Sequence, residues 1–149
     1  DVQSPMYDDI LLPTDGSEGI AAAATHAETL ADRFDATVHV LSVVDTRNRF
    51  ESPTGGLSME AWTEAERDRA EHAVENAVAL LGDEPSVETA IVEGVPKTAI
   101  TDYVEDEGVD MVVMGTHGRT GLDHYFIGSV TEKVVRRSPV PVVTVRLPD

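Results

Sequence analysis

Apolar residues recur along this chain with two alternating periods, and the alternation predicts strand and helix in turn from end to end. After a frayed start at Asp1–Met6, Tyr7–Leu12 reads as a first strand with Ile10, Leu11 and Leu12 buried. Pro13 stops the ladder, and either Asp15 or Ser17 caps the helix that follows. That helix shows one apolar face of 3.6-residue period: Ile20, Ala23, Ala24, Ala27, Leu30, Ala31 and Phe34. Thr37–Val44 is a second strand. Thr46–Leu57, with Pro53 and Gly55-Gly56, is irregular and reads either as a lid over the strand ends or as a variable insert. Ser58 caps a long helix to Leu81, whose inner stripe carries Met59, Trp62, Ala73, Val74, Ala77, Val78 and Leu81. Trp62 shares that stripe, which favours core over a platform for a ligand. Gly82–Pro85 breaks the helix, and Val87–Val92 is a third strand. Gly94-Val95-Pro96 turns into a helix with proline at its first position, Ile100, Tyr103 and Val104 inside, and Gly108 at its end. Met111–Met114 is a fourth, fully buried strand. A glycine-bearing loop leads to a helix with Val130, Val134 and Val135, closed by Ser138-Pro139, and Val140–Arg146 is the last strand.

Such alternation makes a parallel sheet with helices on both faces. Right-handed crossovers place every C-terminal strand end on one rim, where ligands of open α/β sheets bind. The loop after the fourth strand is the segment on that rim with the most distinctive chemistry. It runs G-x2-G-x9-G-S through Gly115, Gly118 and Gly128-Ser129, against roughly 2–6 residues in an ordinary α/β connection. Gly115 lets the chain turn off the strand, Gly118 admits a phosphate close to the backbone, and Gly128 leaves the first N–H groups of the helix uncovered. A plain surface loop is the alternative on glycines alone. No third glycine completes a dinucleotide fingerprint, and no Gly-Lys-Ser/Thr makes a P-loop.

This glycine pattern, with ILLPTDGSE at Ile10–Glu18, closely resembles the universal stress protein family and its ATP-binding branch, over nearly the whole chain. The resemblance implies a five-stranded sheet of order 3-2-1-4-5 and a dimer. In that order Pro13, Thr14 and Asp15 face Gly115–Gly118 across a crevice. It further implies that the N–H groups of Gly118, Gly128, Ser129 and Val130, with the Ser129 and Thr131 hydroxyls, hold phosphates. Asp15 contacts base or ribose, with a helix cap as its plain role. Val43 or Val44 meets adenine through the backbone and Met114 packs on the ring, unless these are ordinary core. Gly94 is small for the nucleotide or for a turn. His117 touches sugar or phosphate, and Arg119 reaches the terminal phosphate or is merely exposed. The expected ligand is ATP, with AMP or ADP as alternatives, and Mg2+ or Mn2+ bound through the phosphates.

Composition changes the picture in three respects. With 149 residues the chain has the size of one domain, with an ordered core over about 7–146. It has no cysteine and no membrane-length apolar run. Its net charge of −17 opposes nucleic acid or anionic membranes as partners. Arginine far outnumbers lysine, of which there are only Lys97 and Lys133, and the acidic surface reads as adaptation to a salt-rich cytoplasm, with an ordinary acidic protein as the plain alternative. Three function classes follow. The first is a nucleotide-dependent stress regulator or sensor read by a protein partner. The second is a slow ATPase or self-phosphorylating enzyme with Ser129 or Thr131 as acceptor. A phosphoacceptor receiver, the third, is rejected: Asp8-Asp9 lie at the wrong end of the first strand and Glu93-Gly94 follow the third. The last strand would be a bare apolar edge, so pairing with its twin covers it. His26, His39, His72 and His124 lack metal spacing and read as structural or surface.

Overall fold

The computed structural model describes residues 6–46, 59–116 and 128–146. Its elements are β1 (Asp9–Pro13), α1 (Ile20–Phe34), β2 (Thr37–Asp45), α2 (Met59–Leu81), β3 (Ser86–Gly94), α3 (Pro96–Glu107), β4 (Met111–Gly115), α4 (Ser129–Arg137) and β5 (Val142–Val145). The strands form one parallel sheet of order β3-β2-β1-β4-β5. The expected order is thus the observed one. The first strand runs one residue further than expected, through Pro13, and the last is shorter than Val140–Arg146. Ser58 and 47–57 lie outside the described residues, as do His117, Gly118 and Arg119.

Strand alternation divides the core. Ile10, Leu12, Val38, Val40 and Val113 face α1 and α2, while Leu11, Leu41, Val112 and Met114 face α3 and α4. On the α1 side Ala23, Ala24, Ala27 and Ala31 are buried, and such small side chains let that helix lie close on the sheet. Trp62 is buried, as the core reading expects. Phe34 is half out of its stripe and packs its ring on Tyr7, 5.0 Å away.

Helix ends follow local chemistry. Pro96 opens α3 and Gly108 closes it in the left-handed region at φ 64°. The start of α1 departs from expectation: Gly19 occupies the N-cap and no side chain caps it. Asp15 is engaged nearer home, its Oδ1 accepting from the Ser17 N–H at 2.9 Å, while Thr14 Oγ1 accepts from Gly16 N–H at 3.1 Å. These local turns, around a Gly16 at φ 82°, hold the β1–α1 loop tight.

At the opposite rim, Asp110 fastens β1 to β4. Its Oδ2 accepts from the Asp8 and Asp9 N–H groups at 2.9 and 3.1 Å, and its own N–H donates to Asp9 O at 2.8 Å. The two central strands are therefore tied at their starts.

Candidate functional site

The central strands separate at their other ends. β1 pairs with β4 at Ile10–Met111 and Leu11–Val112, and the register stops there. β1 continues along β2 to Pro13–Leu41, and Thr14 N–H reaches Leu41 O at 2.8 Å. β4 continues along β5 to Gly115–Val145. Proline is one reason for the separation. Asp8 O accepts from Thr37 N–H on the β2 side and Asp9 O from Asp110 N–H on the β4 side. Alternation then turns the backbone of Pro13 towards β4. The donor it lacks is one that β4 would have used, so the crevice opens without leaving an orphaned N–H. Pro13 thus ends the strand, as expected, and the ladder towards β4, while one further bond to β2 follows at Thr14.

Across the crevice, the two ends of the glycine loop are pinned together. Thr116 O accepts from Gly128 N–H, and Thr131 Oγ1 donates to Gly115 O at 2.9 Å. At Gly115 the backbone is outside the left-handed region and a Cβ would make only an ordinary contact, 3.4 Å from Gly19 O where α1 begins, so it is a larger side chain that this approach excludes. Two site expectations are corrected. Gly128 N–H is occupied by Thr116, and the Thr131 hydroxyl, 4% exposed, is turned to Gly115 and donates there rather than into the loop.

What remains open is the next stretch of backbone. Glu132 N–H is the first in α4 with an intrahelical partner, Gly128 O at 3.0 Å, and no side chain caps the helix. The N–H groups of Ser129, Val130 and Thr131 have no acceptor among the described residues. Such a row, at the positive end of the helix dipole, attracts an anion. Glu132 in this first turn is paired with Arg136 at 3.1 Å, which blunts its opposition to an anion.

Other expected contacts are distributed unevenly. Asp15 lies exposed on the β1 side of the crevice, while Thr14 is buried. Val44 and Met114 are buried, Met114 within the α3–α4 core. Val43, with Asp15 and Ser42, lines a small notch of about 20 Å3, open at its mouth, whose other wall is Glu66, Arg69, Ala70 and Ala73 of α2. Gly94 ends β3 opposite Asp45, two strands from the crevice, and its φ of 150° is the backbone reason for glycine. Among the described residues no group of three or more His, Asp or Glu side chains is placed to hold a metal ion.

Sequence reasoning missed a polar network on the α3 face. His39 is 3% exposed; its Nε2 lies 2.8 Å from Asp9 Oδ1 and its Nδ1 2.8 Å from the Tyr103 hydroxyl. Because a carboxylate only accepts, the neutral ring carries its proton on Nε2 and accepts from Tyr103 at Nδ1. Glu88 Oε2 is 3.5 Å from Nδ1. Burial raises the Tyr103 hydroxyl above its ordinary range, helped by the carboxylates of Glu107, Glu88 and Asp9. The signal was present in the sequence: His39 shares its strand face with Leu41, and a polar side chain facing inward needs partners.

Comparison with known proteins agrees with this architecture. The sequence model of the universal stress protein family matches residues 6–146. Universal stress protein MJ0531 of Methanocaldococcus jannaschii is 37% identical over 96% of this chain and 84% of its own length. Universal stress protein MJ0577 of the same organism is 34% identical over 96% of this chain and 97% of its own. The solved structure of MJ0577 superposes with a TM-score of 0.83, covering 97% of this chain and 99% of that one. Two more distant structures share the fold. One is a universal stress protein in complex with cAMP, at 23% identity and TM-score 0.62, covering 95% of this chain and 98% of its own. The other, from Archaeoglobus fulgidus in complex with dAMP, has 18% identity and TM-score 0.69, covering 95% and 99%.

Proposed function

The chain belongs to the universal stress protein family, and on that premise we propose that it is an ATP-binding member acting as a nucleotide-dependent regulator of a stress response. The observation that carries this reading is the uncapped row of N–H groups at Ser129 and Val130, beside a crevice that Pro13 holds open between β1 and β4. Phosphates sit against those amides and the exposed Ser129 hydroxyl, with Gly118 and Arg119 completing the cradle and His117 beside it. Asp15 and the backbone at Val43 take the nucleoside end, and Mg2+ or Mn2+ arrives on the phosphates. Relatives of the same fold solved with cAMP and dAMP support an adenine nucleotide as the class.

The protein works in a salt-rich cytoplasm, as a dimer joined through Val140–Arg146. β5 is a sheet edge with Val142 and Val143 only half-buried, which supports that pairing. A second reading, self-phosphorylation, keeps one acceptor: Ser129 is exposed at the first helical position, whereas the Thr131 hydroxyl is buried against Gly115.

The test is to denature purified protein, identify any released nucleotide by mass, and titrate ATP into the stripped protein in concentrated KCl. Adenine nucleotide binding that is lost in Gly128→Leu is the expected result. Gly128 has φ −60° and ψ 150°, which any residue adopts without backbone strain, but it is buried, so urea titration of the variant must show that the fold is kept. Folded protein that ignores ATP would refute the reading. ADP accumulating from ATP, and ceasing in Ser129→Ala, would favour the enzyme.

A further inference from the structure

Ser42 is a hydroxyl in a position built for a hydrocarbon. It stands on the face of β2 that carries Val38, Val40 and Val44, all buried against the α1–α2 side, and it is itself 3% exposed. Its Oγ has no hydrogen-bond partner among the described residues. A buried hydroxyl in that condition is unfavourable until something supplies a partner.

What Ser42 faces is the notch shared with Asp15 and with Glu66 and Arg69 of α2. Ala70 and Ala73 leave the gap by being small, and both are buried. The Glu66 side chain is 18% exposed and lies 3.6 Å from the Arg69 guanidinium. Two carboxylates against one guanidinium leave the notch net negative, so a phosphate is repelled from it. A neutral group that offers hydrogens is welcomed. The α4 end of the crevice has the reverse character, with the N–H groups of Ser129, Val130 and Thr131 without an acceptor among the described residues. A nucleotide bound as proposed above would therefore turn its phosphates towards Ser129 and Val130 and its nucleoside towards α2.

The geometry points to a nucleoside-reading notch in which Ser42 and Glu66 accept hydrogens from a donor-bearing edge of the bound nucleotide. That edge is the 6-amino group of adenine or a ribose hydroxyl, and Arg69 holds the Glu66 carboxylate in position. This assignment rests on the nucleotide-binding reading above, and it makes α2 a specificity element that the glycine motif does not include.

Titration calorimetry with ATP, ITP and 2′-deoxy-ATP on the full chain tests it, since ITP replaces the 6-amino group by a carbonyl and 2′-deoxy-ATP lacks one hydroxyl. The wild type should prefer ATP to one of the two analogues by about tenfold, the scale of one hydrogen bond to a charged acceptor. Ser42→Ala and Glu66→Gln should each shrink that preference several-fold while leaving affinity for the disfavoured analogue nearly unchanged. The analogue whose discrimination collapses identifies the group that enters the notch. Urea titration of each variant confirms that the fold is kept, and Ser42→Ala, which removes only an unpartnered hydroxyl, should be as stable as the wild type. If folded variants bind all three nucleotides with the wild-type ratios, the notch holds no more than an ordered water and the inference is overturned. If the wild type binds none of the three, the nucleotide reading falls first and this one with it.

Discussion

Replacing Thr131 by valine is the sharpest probe of how the crevice is built, because it alters one atom pair and almost nothing else. The hydroxyl donates at 2.9 Å to Gly115 O across a sequence separation of 16 residues, and so ties the start of α4 to the end of β4. Valine has nearly the same shape and a similar helix propensity. Losing the donor leaves a half-buried carbonyl unpartnered, a cost of about 1–3 kcal/mol. The new methyl recovers some of this, up to about 0.8 kcal/mol if fully buried. The net expectation is a loss of about 1 kcal/mol. With an m-value of about 1–3 kcal/mol/M in urea, the midpoint should fall by roughly 0.5 M. Stability alone does not identify the cause, because Thr131→Ser also loses a buried methyl. Amide exchange does. Gly128 N–H, bonded to Thr116 O at the same closure, should open about fivefold more often in Thr131→Val and stay protected in Thr131→Ser. If the valine variant keeps both the wild-type midpoint and the wild-type protection of Gly128, the hydroxyl does not hold the loop and the account of the closure is wrong.

Two further outcomes are expected. The folded state binds the Tyr103 proton more tightly than the unfolded chain, so this group's contribution is complete below its ordinary value of 10.0 and is lost as pH rises beyond it. Tyr103→Phe should flatten that alkaline decline in urea midpoints, while costing about 1–2 kcal/mol at neutral pH by leaving His39 Nδ1 without its 2.8 Å partner; an unchanged alkaline slope would refute the assignment. Gly115→Ala should cost under about 1 kcal/mol, since its Cβ only touches Gly19 O at 3.4 Å, whereas the branched side chain of Gly115→Val must displace the start of α1 and should cost about 1–3 kcal/mol. Equal urea midpoints for the two variants would count against close approach as the reason for glycine.

The elements themselves were legible because each carries an unmixed period. Alanine spacing gives α1, the valine-rich runs give β2 and β4, and Pro96 with Gly108 brackets α3. Strand order came from resemblance rather than periodicity, which does not say which strands are neighbours. What the sequence hid is the choice among competing hydrogen bonds. Asp15 offers itself equally as a helix cap and as a turn former, and only the tight path around Gly16 decides for the turn. Thr131 looks like a phosphate donor until Gly115 O is seen within its reach. Likewise Asp9 and Tyr103 belong to different elements, so nothing local announces that they meet at His39.

The remaining question is how a chain of net charge −17 attracts a polyphosphate at all. Range supplies the answer. The acidic surface acts through solvent, over a Debye length of about 10 Å at 0.1 M salt and roughly 3 Å at 1 M. The amides of Ser129 and Val130 act at hydrogen-bond distance, within a Debye length even at 1 M, so salt weakens their pull less than it weakens the surface repulsion. Salt should then weaken the repulsion while sparing the attraction, and affinity for ATP should rise as KCl is raised from dilute to molar. A site built on exposed lysines or arginines behaves in the opposite way, losing affinity as its long-range pull is screened. Calorimetric titration of ATP across a KCl series therefore separates the two designs without any mutation. Steady weakening in a fold that stays intact would mean that cationic side chains, Arg119 foremost, hold the phosphates, and the backbone of α4 would lose its assigned role.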